Sequence, residues 1–231
     1  FFCNGSERDY NQKDLYIVKS CLSEEKSSNV FEYIKQIAAL IKIRNPETGE
    51  VIDKDILARR FNKISFVGED VALAKYLNPS SLNDNEKGCE YNPIFPFGCN
   101  NSQYKAVKNA LENQISVIQG PPGTGKTQTI LNIIANILLE GKTVQIVSNN
   151  NSAIENVYEK LSSPKYNLGF IVAMLGNFQN KKIFIENQKA VYPDFSSWKT
   201  DENPNDLKKK IAEQSLRLKI FFDKQEKLAF L

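Results

Sequence analysis

The chain has 231 residues, enough for one large domain or one domain with an appendage. Hydrophobic residues make up 41% and charged residues 25%, the balance of a soluble globular protein with a core, and no apolar run approaches the length of a membrane span. The 30 basic and 27 acidic residues leave a net charge of +3, too small a surplus to announce nucleic-acid binding, so any such binding must come from local patches.

Cys3, Cys21, Cys89 and Cys99 form no Cys-x-x-Cys pair, and the sequence has no His. That pattern argues against structural zinc and for the reduced thiols of an intracellular, cytoplasmic protein. Without His the commonest general base is missing, so catalysis would fall to carboxylates, a metal or backbone donors. Phe1-Phe2-Cys3 offers neither an initiator Met nor a basic segment before an apolar stretch, and the last residues read as the interior of a helix. We therefore expect a piece of a longer protein and no secretory signal.

Residues 1–98 carry no assignable motif and form an accessory N-terminal region. Val30 to Ile43 is apolar at helical spacing after Ser27-Ser28-Asn29, and Asn45-Pro46-Glu47-Thr48-Gly49 is a strong turn signal. Ile37 to Ile43 and Val51-Ile52 could equally be two strands of a hairpin across that turn, and periodicity does not separate the two readings. Asn78 to Gly98 is rich in Asn, Pro, Ser and Gly and reads as a loop or linker.

Residues 99–200 are more orderly. Ser102 is a candidate N-cap for a helix over Gln103 to Leu111, with Ala106, Val107, Ala110 and Leu111 inward. Ile115 to Ile118 is a short β-rich run. After the Gly-rich stretch from Gly120, Thr127 to Leu139 reads as a helix burying Ile130, Ile133, Ile134, Ile137 and Leu138, with Gly141 at its C′ position. Thr143 to Val147 reads as a second buried strand, Ser152 to Leu161 as a second helix, and Gly169 to Leu175 as a third strand. This alternation predicts an α/β fold, a parallel sheet with right-handed crossovers and helices on both faces. Residues 201–231 form a helical segment in which Leu207, Ile211, Leu218, Phe221 and Leu228 recur among Lys and Glu. Its basic face is read first as a solvated surface.

Gly120-Pro121-Pro122-Gly123-Thr124-Gly125-Lys126-Thr127 matches G-x-x-x-x-G-K-[ST]. Glycines let a loop wrap so that successive N–H groups face a phosphate chain, and the following helix presents its positive end to the same anion. Lys126 supplies a full charge and the Thr127 hydroxyl a ligand for Mg²⁺, so these two are the candidate catalytic residues. Gln128 follows directly and joins the candidate cofactor-binding set of Gln103, Gly120, Pro122, Gly123, Thr124, Gly125, Lys126 and Thr127, with ATP and Mg²⁺ as the expected cofactors. Lys126-Thr127 and the spacing exclude a dinucleotide loop. The Gln103 amide offers a donor and an acceptor side by side, which matches the edge of adenine. Ser148-Asn149-Asn150-Asn151-Ser152 follows the second predicted strand on the sheet edge shared with the loop, where small polar side chains suit sugar-phosphate contacts. It is equally a polar turn capped by Ser152.

The run from Asn100 to Leu161 resembles the start of the motor core of superfamily 1 helicases, in the Upf-like branch. Asn100-Asn101-Ser102-Gln103 matches that family's N-x-S-Q adenine motif, Gly120 to Thr127 its G-P-P-G-T-G-K-T loop, and Ile146 to Ala153 its motif Ia. The resemblance implies a RecA-like P-loop NTPase fold. Gln103 would read adenine, and Ser148 to Ser152 would touch single-stranded DNA or RNA. It places residues 1–98 where the family keeps an accessory β-domain and stalk, and makes Asp206 to Leu231 the beginning of a helical insertion. The family's Walker B Asp-Glu pair is not recognisable. Ile183-Phe184-Ile185-Glu186 lacks the Asp and has helical neighbours, and Asp201-Glu202 follows no apolar strand. The carboxylates, and a second motor domain with its arginine fingers, are expected in the rest of the polypeptide. The rival readings are a P-loop ATPase that remodels protein and a nucleotide-binding regulatory module without hydrolysis.

Overall fold

A computed structural model describes residues 2–3, 6–7, 19–44, 48–53, 55–79, 91–176, 178–186, 194–198 and 200–229. The chain divides into two compact units, Phe1–Lys87 and Gly88–Leu231. No helix among the described residues is long and apolar enough to cross a membrane.

The first unit contains helices α1 (Glu25–Leu40), α2 (Ile56–Phe61) and α3 (Ala72–Leu77). Two short antiparallel ladders accompany them, β1 (Phe2–Cys3) with β2 (Ser6–Glu7) and β3 (Ile43–Arg44) with β4 (Val51–Asp53). Both readings of Val30–Ile43 are therefore correct for part of it. The helix stops at Leu40, and the hairpin begins three residues later. Gly49, at φ +72°, completes the turn, and the Arg44 guanidinium donates to its carbonyl. Cys21, Phe31, Val67, Ala74 and Leu77 make the core, and the Phe31 and Phe61 rings meet at 6.1 Å. As described, this unit is a small helical core with two-stranded ladders.

The second unit holds α4 (Asn101–Glu112), α5 (Lys126–Leu139), α6 (Asn151–Ser162), α7 (Phe178–Glu186) and α8 (Pro204–Ala229). The predicted cap of α4 moves from Ser102 to Asn100, whose side chain accepts from the Gln103 N–H at 2.9 Å. The Gln103 side chain accepts in return from the Asn100 N–H at 3.0 Å, closing a capping box. Asn100 wins because only it has an oxygen three residues before a side-chain amide that can reciprocate. At the other end of α5, Gly141 stands in the left-handed region at φ +71°. Its N–H reaches the Leu138 carbonyl and that of Lys142 reaches the Ile137 carbonyl, the paired bonds of a Schellman motif.

The three predicted strands are absent as ladders among the described residues. Residues 115–118 and 143–147 form no ladder among the described residues, and Gly169–Ile171 is a 3₁₀ turn. Val117 is 86% and Val147 81% exposed. The buried face of α5 differs from the predicted one as well. Leu131 and Ile134 pack with Val157 and Leu161 of α6, while Ile130 and Leu138 are solvent-exposed. The physical cause is a second, polar interaction. Asn132 and Asn136 are buried and turn that stripe of α5 toward residues 94–98, which leaves Ile130 and Leu138 outside while Ile134 stays buried. Ile183 to Glu186 is helical, as its neighbours suggested, and lies at the end of α7. Helix α8 is more than a solvated arm. Phe222 is buried against Tyr104 with ring centroids 5.4 Å apart, and the Ser215 hydroxyl donates to the Pro93 carbonyl. Glu226 accepts from Asn101 at 2.8 Å and pairs with Lys105, and these donors hold its carboxyl below the ordinary range.

Candidate functional site

The Gly-rich loop runs into the N-terminus of α5, and its shape follows from where glycine is placed. Gly123 and Gly125 lie in the left-handed region at φ +84° and +82°, which costs glycine no strain. Gly125 occupies the N-cap position of α5, with no side chain to cap the helix, so its first N–H groups remain directed at the loop. A Cβ at Gly125 would lie 2.1 Å from the Gln103 Nε2, and one at Gly120 would lie 2.6 Å from the Thr124 Oγ1. A side chain at either position would displace the Thr124 hydroxyl or the Gln103 amide from its place beside the loop. A Cβ at Gly123 would meet nothing within 4 Å, so the crest of the loop is open. A Gly-rich loop that is open at its crest and runs into a helix N-terminus is the arrangement that phosphate groups favour.

Lys126, the first residue of α5, folds back over the loop. Its ammonium donates to the Gly120 carbonyl at 2.5 Å and to the Pro121 carbonyl at 2.7 Å. The Thr124 hydroxyl donates to the Pro121 carbonyl at 2.9 Å. Thr127 follows half-buried in the first turn, a hard oxygen donor of the kind Mg²⁺ takes.

Gln103 reaches this loop from α4. It is buried, and its Nε2 faces the Thr124 carbonyl at 3.3 Å, the Gly125 carbonyl at 3.4 Å and the Gln128 Oε1 at 3.5 Å. With its Oε1 engaged by the Asn100 N–H, the amide braces the loop from behind. To pair with a base edge it has to release those carbonyls. Gln128 donates in turn to the Phe97 carbonyl. Beside it a cleft of about 640 Å³ lies between α5 and α6, with Phe97, Tyr166 and Lys160 in its wall. Cys99, just before the capping box, has its thiol pushed up by burial, so it stays protonated at neutral pH.

The predicted nucleic-acid turn forms its own network. Ser148 Oγ accepts from the Asn150 N–H at 3.1 Å, and Asn150 Oδ1 accepts from the N–H and hydroxyl of Ser152 at 3.1 and 2.8 Å. Asn150, one step outside α6, is therefore the cap in place of Ser152. Asn149, Asn150, Asn151 and Ser152 are exposed. The structure thus gathers Gln103, Gln128 and the loop into one site, while the hydrogen bonds of Ser148 to Ser152 stay within their turn. Sequence reasoning missed Asn132 and Asn136. Their signal was present as a stripe of amides four residues apart from Gln128.

The AAA domain family matches residues 98–228, more than half of the chain. The chain belongs to that family. It is similar over part of its length to proteins named as helicases. It is 40% identical over 80 residues to the DNA polymerase alpha-associated DNA helicase A of Schizosaccharomyces pombe, covering 33% of this chain and 12% of that protein. An ATP-dependent helicase of Mycoplasma genitalium is 47% identical over 64 residues, 28% of this chain and 6% of its own. The regulator of nonsense transcripts 1 homolog of Drosophila melanogaster is 46% identical over 63 residues, 27% of this chain and 5% of its own. The chain thus spans a small fraction of the length of these relatives. No solved structure matches it.

Proposed function

We infer that this chain is the ATP-binding part of a longer, intracellular ATP-dependent helicase or translocase acting on single-stranded DNA or RNA. The observation that carries this reading is the Gly120–Thr127 loop, open at Gly123 and braced by Gln103, in a member of a family whose relatives are named as helicases. The phosphates of ATP would lie against the N–H groups from Gly123 to Thr127, with Pro122, Thr124 and Gln128 completing the wall. Lys126 would exchange the Gly120 and Pro121 carbonyls for phosphate oxygens, and the Thr127 hydroxyl would hold Mg²⁺. When bound, that ion withdraws charge from the phosphate chain. Ser148 to Ser152 would contact the sugar-phosphate backbone of a single strand.

The three runs read as strands from the sequence fit the same reading, although they form no ladder among the described residues. Residues 115–118, 143–147 and 169–175 would become parallel strands once further strands cover them, because a parallel sheet is stable only when buried on both faces. The out-turned Ile130 and Leu138 of α5 would then face that sheet. The remaining strands, the carboxylates that order Mg²⁺ and water, and the second motor domain would come from the rest of the polypeptide.

The test is ATP hydrolysis by the intact protein with and without a single-stranded oligonucleotide. Stimulation is expected. Indifference to the strand overturns the helicase reading in favour of protein remodelling. Base choice gives a second check. If Gln103 turns its amide to adenine, ATP should outbind GTP by about 1–3 kcal/mol, as for one bidentate amide–adenine contact. Gln103→Ala should erase the difference. Equal affinities in the unaltered chain, measured by calorimetry, would exclude this role.

A further inference from the structure

Three side chains on one stripe of α5 hold the segment before the capping box. Asn136 Oδ1 accepts from the Ile94 N–H, and its Nδ2 donates to the Ile94 carbonyl, both at 2.8 Å. One turn earlier, Asn132 Oδ1 accepts from the Phe97 N–H at 3.1 Å, and its Nδ2 donates to the Gly98 carbonyl at 2.8 Å. Another turn earlier, Gln128 donates to the Phe97 carbonyl. The spacing of four residues puts all three on one face of the helix. Each asparagine satisfies one N–H and one carbonyl of a segment that turns at residues 96–97, where the Gly98 N–H also donates to the Phe95 carbonyl at 2.9 Å.

This ladder ends at the nucleotide site. Residues 94–98 lead through Cys99 into Asn100, whose capping box fixes Gln103. Gln128 also faces Gln103, its Oε1 3.5 Å from the Gln103 Nε2. Gly98 admits the arrangement, since a Cβ there would approach the Gln128 Nε2 to 3.2 Å at φ +75°. The helix that carries Lys126 therefore also dictates where the Asn100–Gln103 turn stands. Asn132 is wholly buried at the centre of the ladder, and an amide so placed would be an odd choice if it only filled space.

We propose that Asn132 is a positioning residue for nucleotide selection. Through Phe97, Gly98 and Gln128 it sets the register of Gln103 against the phosphate loop. The proposal rests on the nucleotide-binding reading above. Its effect falls on the part of recognition that passes through Gln103, while the contacts of Lys126 and the loop N–H groups with phosphate remain.

The experiment measures ATP, GTP and inorganic triphosphate affinities, each with Mg²⁺, for the full 231-residue chain and for Asn132→Leu, Gln128→Met, Gln103→Ala and the Asn132→Leu/Gln103→Ala pair. Asn132→Leu should weaken ATP about ten-fold, bring the ATP-to-GTP ratio to near one and leave triphosphate affinity within about two-fold. The pair should show the ratio of Gln103→Ala alone, because both changes act on one contact. A lower unfolding midpoint with an unchanged ATP-to-GTP ratio would reduce Asn132 to a structural role and overturn the proposal. If Asn132→Leu does not fold, Gln128→Met decides. It cuts the link to Gln103 from a half-buried position, and a retained ratio there overturns the proposal as well. Failure of the unaltered chain to bind any of the three ligands would instead sink the nucleotide reading, and the proposal with it.

Discussion

ATP turnover by the 231-residue chain is expected to be at least about 10³-fold slower than by the intact protein, even with the nucleotide site saturated. Phosphoryl transfer depends on a carboxylate that orders Mg²⁺ and water and on an arginine that meets the developing charge, and an arginine finger alone is worth about 10³–10⁵ in rate. The acidic residues nearest in sequence to such a role are engaged elsewhere. Glu186 ends α7 and lies 3.8 Å from Lys182 one turn earlier, an ordinary helix-surface pair. Glu202 accepts from Lys210 at 2.7 Å, holding the start of α8. Single-strand binding by the chain should also be weak and fall with salt, since Ser148 to Ser152 offer few contacts and half of the groove is expected in the second motor domain. Phosphate release by the two proteins, assayed side by side with and without an oligonucleotide, checks the expectation. Brisk turnover by the chain alone would mean that a catalytic carboxylate is present, and Glu186→Gln is the first variant to locate it.

Lys126→Ala should reduce Mg-ATP affinity by at least about 100-fold. A hydrogen bond to a charged partner is worth about 1.5–3 kcal/mol, and the Lys126 ammonium has reach for two phosphate oxygens, so the loss is about 3 kcal/mol or more. The structure adds a second consequence. The ammonium also ties the Gly120 and Pro121 carbonyls together. Its removal leaves the base of the loop held by Thr124 and Gln103 alone, so the cradle is looser as well as less charged. Calorimetry on the two proteins measures the effect, and equal affinity would remove the loop from the nucleotide site.

What the sequence disclosed, and what it withheld, follows from the range of the forces involved. The loop was legible because glycine at 123 and 125 and the lysine after it are required by local backbone geometry. Helices α4, α5, α6 and α8 were legible to within a residue or two because their apolar spacing and caps are local also, whereas α1 begins five residues before the predicted Val30 and α2 and α3 gave no signal that was read. The first cap was misplaced by two residues, because Ser102 and Asn100 are both good caps and only the reciprocal bond of Gln103 separates them. The inward face of α5 could not be read from apolar period alone. Asn132 and Asn136 outcompete Ile130 and Leu138 for the interior because each satisfies two backbone groups of residues 94–98. The predicted strands form no ladder among the described residues, and β-rich composition alone does not supply the partners a strand needs.

Val117 and Val147 have a practical consequence for anyone who makes this chain. Each sits in a short β-branched stretch with low charge and open backbone donors and acceptors, the composition that pairs with copies of itself. Handled as a separate molecule, the protein carries two adhesive edges. Its yield and colloidal behaviour would then depend on how far those edges are kept apart, by dilution or by solubilising fusions. A charged residue in place of Val117 or Val147 would act as a gatekeeper against self-pairing.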